Sequence, residues 1–203
     1  MAERLPQNPL SFKAGETILR PSASVPPYRV YRVLSGFVRI LCTDDNGDVL
    51  VLRHVAPGGY FGEESLLGAR RHYHAEAVLP TRIAPVDARK LNAAEAGGLA
   101  AYLVAAIGQT HTAIKRISSQ RLRNRLAAAL VELAESPLAQ RDSRGQVVVR
   151  VTHDELAAII GSVRETATKA IGELVRLGLV KSGYGRLRLL DLNELRRLAN
   201  SCE

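Results

Sequence analysis

A pair of helices joined by a tight turn limits the possible folds of this chain more than any other pattern in it. Thr152 is followed three residues later by Glu155, and together they form the capping box that satisfies the first free amides of a helix. Gly161 ends that helix, because glycine can take the left-handed conformation that a sharp turn needs. Ala157 lies four residues before this glycine, and its small side chain lets two helices approach closely. This spacing predicts a helix-turn-helix.

The second helix of the pair is expected to be capped by Ser162 and to end at Gly178. Its apolar residues share one face of a helical wheel: Val163, Ala167, Ala170, Ile171, Leu174 and Leu177. The opposite face is polar and belongs to the N-terminal half of the helix: Arg164, Glu165, Thr168 and Lys169. The pattern predicts a helix that buries one side and offers a compact polar surface on the other.

That polar surface carries the donors and acceptors that recognise base edges in DNA. Arginine and lysine donate to guanine O6 and N7, and a glutamate accepts from the cytosine amino group, so Arg164, Glu165 and Lys169 are the predicted base-reading residues. Hydroxyl groups suit phosphate oxygens, which predicts phosphate contacts from Ser162, Thr166 and Thr168. The alternative is an ordinary amphipathic helix hairpin whose charged face meets water.

The segment LVKSGYGRLRLLD, which follows the second helix, favours DNA binding over that alternative. It predicts a hairpin that turns at SGYG and carries Lys181, Arg186 and Arg188, with Lys181 expected to contact phosphate. The net charge of +8, from 28 Lys and Arg against 20 Asp and Glu, is also suited to a polyanionic partner. A basic wing beside a helix-turn-helix predicts a protein that binds double-stranded DNA.

The rest of the chain predicts an α+β fold in three parts. Residues 12–86 contain short apolar runs separated by turn sequences such as DDNGD and APGG, a rhythm typical of an antiparallel barrel or jelly roll. From Leu91 to Glu135, helix-forming residues dominate. We therefore expect a β-roll domain at residues 1–90, a long helix at 91–120 and a winged helix-turn-helix domain at 121–203.

The long helix carries a repeat of apolar and small residues at steps of four and three, the spacing of a seam between two helices. The seam residues are Leu103, Ala106, Thr110, Ile114 and Ile117. Such a seam can pack on the chain's own roll or on the same helix of a second copy. Its position between a β domain and a basic domain favours a homodimer.

Several other classes of protein are disfavoured by the sequence. No apolar stretch is long enough for a membrane span, and the N-terminus does not resemble a secretory signal, so we expect a cytoplasmic protein. Cys42 and Cys202 are far apart and suggest no disulfide framework. His72, His74 and Glu76 alternate as metal ligands do in cupin-type metalloenzymes, the competing class, but no later histidine in the β region completes a site. We predict no enzyme activity, no metal and no cofactor.

With these motifs in view, the chain resembles the Crp/Fnr family of bacterial transcription regulators over nearly its whole length, and in particular a stress-response branch of that family. GSVRETATKAIGELVRLG is similar to the family's recognition helix, in which an Arg-Glu-Thr triplet and a following basic residue read the half-site; the matching residues are Arg164, Glu165, Thr166 and Lys169. The resemblance implies a homodimeric activator that binds a TGTGA-like inverted repeat and recruits RNA polymerase. It also implies that the loop at residues 140–146 is the polymerase-contacting loop.

The chain departs from the family pattern at the effector pocket. Gly62 and Glu63 match the family, but Tyr73 and His74 stand where cyclic AMP-binding members have an Arg-Ser pair that clamps the cyclic phosphate. A phenol and an imidazole cannot replace a bidentate guanidinium. The sequence assigns Arg70 and Arg71 to the preceding loop, and the resemblance adds Thr110 and His111 to the degenerate pocket. We therefore predict regulation without tight binding of a cyclic nucleotide.

Overall fold

The computed structural model describes residues 8–201, which divide into two compact units. One unit comprises the residues up to 43 together with 52–111, and the other comprises 44–51 together with the residues from 112 onward. The long helix α1 (Ala93–Ser119) begins in the first unit and ends in the second. The predicted α+β fold, with an antiparallel roll, a long helix and a winged helix-turn-helix, is confirmed.

The roll consists of two antiparallel four-stranded sheets that share one core. Its strands are β1 (Leu10–Phe12), β2 (Thr17–Leu19), β3 (Arg29–Ser35), β4 (Val38–Thr43), β5 (Val49–Val55), β6 (Tyr60–Phe61), β7 (His74–Ala77) and β8 (Thr81–Asp87). The sheet orders are β1-β8-β3-β6 and β2-β7-β4-β5. Val33 and Phe61 from one sheet and Ile40 and Ala75 from the other are fully or almost fully buried together. Burial of these alternating apolar residues is the main force that stabilises the roll.

The hairpin between β4 and β5 shows why the DDNGD sequence turns. The carboxylate of Asp44 accepts hydrogen bonds from the backbone N–H groups of Asn46 and Asp48, both at 2.9 Å. Gly47 has a φ of +87°, which other residues rarely adopt. The predicted hairpin is confirmed.

The helical region divides into α1 and α2 (Leu122–Ala134). Asn92 and Glu95 cap the start of α1 reciprocally, because each side chain accepts the other's backbone N–H at 3.0 Å. This cap was not predicted, although its Asn-x-x-Glu spacing is visible in the sequence. None of the helices within residues 8–201 combines the length and the apolar character that a membrane span requires.

The second unit packs helices against a small sheet. Its elements after α2 are β9 (Ala139–Arg141), β10 (Val147–Val149), α3 (His153–Ile160), α4 (Arg164–Arg176), β11 (Val180–Gly183), β12 (Arg186–Leu189) and α5 (Leu192–Asn200), with the sheet order β11-β12-β10-β9. Helix α2 packs on β10, and α4 packs on β11. Leu126, Leu156, Leu174 and Leu195 are completely buried and form the centre of the core. The sequence analysis missed β9 and α5, although the side chain of Asp191 caps α5 at 2.9 Å.

Candidate DNA-binding site

The capping box predicted at the start of α3 is present. The Thr152 hydroxyl accepts the Glu155 N–H at 3.2 Å, and the Glu155 carboxylate accepts the Thr152 N–H at 2.7 Å. The helix ends at Gly161, whose φ of +61° lies in the left-handed region. The chain then turns sharply, because the Ser162 N–H donates back to the Ala157 carbonyl at 3.0 Å. The first half of the helix-turn-helix therefore forms as its sequence predicts.

The predicted cap of the second helix is wrong by one residue. Ser162 lies within the turn, half-buried, and Val163 is the N-cap without a side-chain hydrogen bond. Val163 and Leu177 are exposed rather than buried, because they flank α4 instead of lying inside it. The buried face of α4 contains the other predicted residues: Ala167, Ala170, Ile171 and Leu174.

The predicted polar face of α4 lies open to solvent. Five of the residues chosen from the sequence are exposed on its first two turns: Arg164, Glu165, Thr166, Thr168 and Lys169. The helix is held from its other face, so these side chains carry no part of the core. The structure thus brings the candidate base-reading and phosphate-binding groups together on one accessible surface.

Two contacts from the first turn of α3 reach this polar face, and neither has a signal in the sequence. Asp154 Oδ2 lies 3.2 Å from Arg164 Nη1, forming an ion pair. His153 Nδ1 and Thr168 Oγ1 share a hydrogen bond of 3.0 Å. Both pairs join residues from different helices, so only the packing of α3 on α4 brings them into contact.

The wing forms as predicted, with a two-residue turn at Tyr184 and Gly185 between β11 and β12. Lys181 and Arg186 are exposed, and Arg188 is held by the Asp142 carboxylate at 2.9 Å. These side chains line a groove of about 390 Å³ on the wing sheet. Its excess of positive charge suits a phosphate backbone.

Several residues at the predicted effector pocket contact one another through their side chains. The guanidinium of Arg71 forms an ion pair with the Glu64 carboxylate, and the two side chains are only 8% and 10% exposed. The Tyr73 hydroxyl donates to the same carboxylate and accepts the Gly62 N–H at 3.0 Å. Burial, with the nearby carboxylates of Glu63 and Glu64, raises the pKa of the Tyr73 phenol. Arg71 precedes β7, as the sequence indicated, but its side chain turns inward to Glu64, which the sequence analysis did not predict.

The other predicted pocket residues have few or no contacts with the cluster of Glu64, Arg71 and Tyr73. Glu63 accepts two hydrogen bonds from Arg53, at 2.7 and 2.9 Å, and Arg53 also donates to the Tyr102 hydroxyl on α1 at 3.2 Å. His74 is half-buried on β7. The Thr110 hydroxyl donates to the Ala106 carbonyl at 3.0 Å, and His111 is exposed. Within residues 8–201, no hydrogen bond joins these two α1 residues to the Glu64 network.

The seam predicted on α1 is divided by the structure. Leu103 packs against Val30, Val86 and Leu99 of its own chain, and Ala106 is buried, so both have contacts within the chain, and their place in a dimer seam stays a prediction. Ile114 and Ile117 are exposed. Val104 and Ile107, which the sequence analysis did not include in the seam, are 69% and 55% exposed. The exposed apolar side chains of α1 therefore include Ile114 and Ile117 of the predicted seam as well as two residues outside it.

The metal-ligand pattern is not assembled into a site. Glu76 is held by Arg39 at 2.7 Å, and His72 precedes β7, so the assumed strand alternation does not reach it. In the part of the chain that the structure describes, no group of three His, Cys, Asp or Glu residues could hold a metal ion. Cys42 is half-buried, and Cys202 lies outside the described residues.

The roll and the exposed recognition helix together are typical of one class: transcription regulators that join a cyclic nucleotide-binding type of roll to a DNA-binding winged helix-turn-helix. Residues 9–95 match the cyclic nucleotide-binding domain family, and residues 124–198 match the Crp-like helix-turn-helix domain family. The chain belongs to the Crp/Fnr family of transcriptional regulators, which confirms the predicted resemblance.

Relatives from Thermus thermophilus support this membership along most of the chain. The chain is 50% identical to transcriptional regulator SdrP of that species, over 95% of this chain and 94% of that one. It is 36% identical to transcriptional regulator LdrP of the same species, over 85% and 88% of the two chains. The crystal structure of a CRP/FNR-family transcriptional regulator, also from Thermus thermophilus, superposes with a TM-score of 0.91 and 48% identity, covering 97% of this chain and all of that one. All three of these relatives are transcriptional regulators.

Proposed function

We propose that this regulator binds an inverted repeat as a homodimer and reads each half-site with Arg164, Glu165 and Lys169. The observation that carries the proposal is their exposure together on the N-terminal half of α4, the part of a recognition helix that enters the major groove. Guanine would accept from Arg164 or Lys169, and cytosine would donate to Glu165. A TGTGA-like repeat, which family membership suggests, offers both bases.

The phosphate backbone on either side would be held by the hydroxyl and basic groups around α4. Ser162, Thr166 and Thr168 flank the base-reading residues, and Lys181 extends from the wing. Such contacts fix the orientation of the protein without reading sequence. They also make the affinity fall as salt concentration rises, because bound phosphates release counterions.

Homodimer formation is supported by the apolar face of α1 that the chain leaves open. Val104, Ile107 and Ile114 follow one another at steps of three and seven, so they lie along one stripe of the helix. Large apolar side chains in a row on a surface helix favour a partner helix with the same stripe. Two-fold symmetry would then match the two half-sites of an inverted repeat.

Independence from cyclic AMP is supported by the pair formed by Arg71 and Glu64. The buried guanidinium that could bind a cyclic phosphate is already neutralised by a carboxylate of the chain. Tyr73 adds a hydrogen bond to that carboxylate, so a phosphate would have to displace both partners. Titration calorimetry with cyclic AMP should show no binding at micromolar concentrations; a micromolar affinity would overturn this part of the proposal.

The remaining proposals concern the cellular role and rest on family membership. We propose that the protein acts in the cytoplasm, activates promoters by recruiting RNA polymerase, and takes part in a stress response. The loop at residues 140–146, whose first two residues belong to β9, would contact the polymerase; its turn is ordered by the Asp142 side chain, which accepts the Arg144 N–H at 2.9 Å. Transcription from a promoter that carries the selected site, with purified polymerase, tests this role.

Selection of bound duplexes from a random pool tests the site assignment directly. A variant with both Arg164→Ala and Glu165→Ala should lose binding to the selected duplex, whereas Glu135→Gln, on the C-terminal side of α2, should not. Lys169→Ala should cost about 1 to 3 kcal/mol and relax the preference at one base pair. Retained binding by the double variant would reject Arg164 and Glu165 as base-reading residues.

A further inference from the structure

The first turn of α3 touches the base-reading face of α4 at two points. Asp154 forms an ion pair with Arg164, and His153 is hydrogen-bonded to Thr168. The two contacts lie on neighbouring α3 residues and reach α4 residues four positions apart, about one helical turn. One turn of α3 thus fixes two side chains of the recognition surface before any DNA is present.

The ion pair occupies only part of the Arg164 guanidinium. Asp154 Oδ2 lies near Nη1 at 3.2 Å, and Nε and Nη2 have no partner among the described residues. A guanidinium has five donors in a rigid plane, and a bidentate contact with guanine uses two neighbouring ones. The edge formed by Nε and Nη2 is therefore free for guanine O6 and N7 while Asp154 keeps its contact.

Stability of the fold does not explain this pair. Asp154 and Arg164 are 61% and 64% exposed, and ion pairs with that degree of exposure contribute little to folding. A carboxylate on a DNA-binding surface also repels phosphates, which lowers affinity for every duplex. A specific benefit in recognition would offset this general penalty.

Resting on the function proposed above, we propose that Asp154 is a positioning residue that orients Arg164 and thereby increases discrimination in favour of guanine at one position of each half-site. An arginine held in its reading conformation loses less side-chain freedom when it binds. Asp154 would therefore lower the affinity for all DNA and raise the preference for guanine at one position. Replacing the carboxylate should weaken discrimination at the Arg164 position while it strengthens binding to unrelated DNA.

The test is a double-mutant cycle measured by fluorescence anisotropy at fixed salt, with the selected duplex and its single base-pair variants. The Arg164 position is the base pair at which Arg164→Ala loses discrimination. Asp154→Asn should reduce discrimination there by about three- to tenfold, and should leave the position that depends on Lys169 unchanged. In the Arg164→Ala background, Asp154→Asn should change no base preference. With Arg164 present, Asp154→Glu should keep part of the discrimination that Asp154→Asn loses.

Glu135→Gln is the matched control, because Glu135 forms an ion pair of the same length, 3.2 Å, with Arg196 and is similarly exposed at 68%. It should alter no base preference. Two results would overturn the proposal. One is unchanged discrimination in Asp154→Asn; the other is an equal rise in its affinity for all duplexes, which would mean that the carboxylate only repels DNA phosphates. If Arg164→Ala itself binds the selected duplex normally, the proposed function fails; if only Asp154→Asn is without effect, only the positioning role fails.

Discussion

Replacing Glu64 by glutamine tests the claim that the chain fills its own effector pocket. The variant keeps the size of the side chain and one acceptor oxygen but removes the charge that neutralises Arg71. At an effective dielectric constant of about 20, opposite charges about 4 Å apart attract by about 4 kcal/mol. The amide oxygen can still accept one hydrogen bond, which restores about 1 kcal/mol. We expect the roll to lose about 3 kcal/mol of its free energy of unfolding, within the range found when one partner of a buried pair is removed.

Tyrosine fluorescence during urea unfolding measures this loss in the roll. The chain has no tryptophan, and five of its six tyrosines lie between Tyr28 and Tyr102. Glu135→Gln, which breaks an exposed pair with Arg196, should cost less than about 1 kcal/mol. The double variant Glu64→Leu with Arg71→Met should recover most of the stability, because no buried charge remains. If Glu64→Gln costs no more than the exposed control, the pair of Glu64 and Arg71 does not close the pocket.

Three further predictions concern other parts of the molecule. Burial lowers the pKa of His54, which stacks on Phe37, from 6.5 to about 4, so the unfolded chain binds more protons in acid. The free energy of unfolding from urea titrations should therefore fall by at most about 3 kcal/mol as the pH drops from about 6.5 to about 4. His54→Phe should lack this loss, and a variant with the same pH profile as the original protein would refute the assignment to His54. Ile107→Glu should shift the protein towards monomer in sedimentation experiments, whereas Leu67→Glu, at a fully solvent-facing site outside α1, should not; a dimer that survives Ile107→Glu contradicts the proposed interface. Gly161→Ala should lower the free energy of unfolding by about 1 to 2 kcal/mol, because alanine strains the left-handed backbone whereas its Cβ would meet Leu50 and Ile117 at an ordinary 3.5 Å. A much larger loss, measured by circular dichroism during unfolding, would indicate steric overlap.

Local signals in the sequence were sufficient where one element or one turn decides the structure. The capping box at Thr152, the left-handed Gly161 and the Asp44 turn all depend on residues within a few positions of one another. The amphipathic pattern of α4 was sufficient to separate its buried face from its exposed face. The pattern failed at Val163 and Leu177, which lie just outside the helix. A helical wheel assigns such residues to a face although they do not continue the helix.

Contacts between distant segments were beyond the reach of sequence periodicity. The apolar repeat on α1 is equally compatible with packing on the roll and with packing on a second helix. Only the positions of Val30 and Val86 in the structure show that Leu103 packs on the roll. The pairing of Asp154 with Arg164 likewise needs the angle between α3 and α4. Arg71 and Glu64 are only seven residues apart, but the segment between them has no regular period, so the sequence does not show that their side chains meet.

The family was recognised by the resemblance of its motifs to known members, whereas the fold class and the polar surface of the recognition helix followed from local patterns in the sequence. Those properties depend on hydrophobic period, capping and turn chemistry, which act over one to four residues. The arrangement of the elements in space was needed to show which face of α1 remains open, which carboxylate neutralises Arg71 and which group holds Arg164. These features depend on how separate elements pack, since an ion pair or a buried contact is set by distance in space and not by separation along the chain.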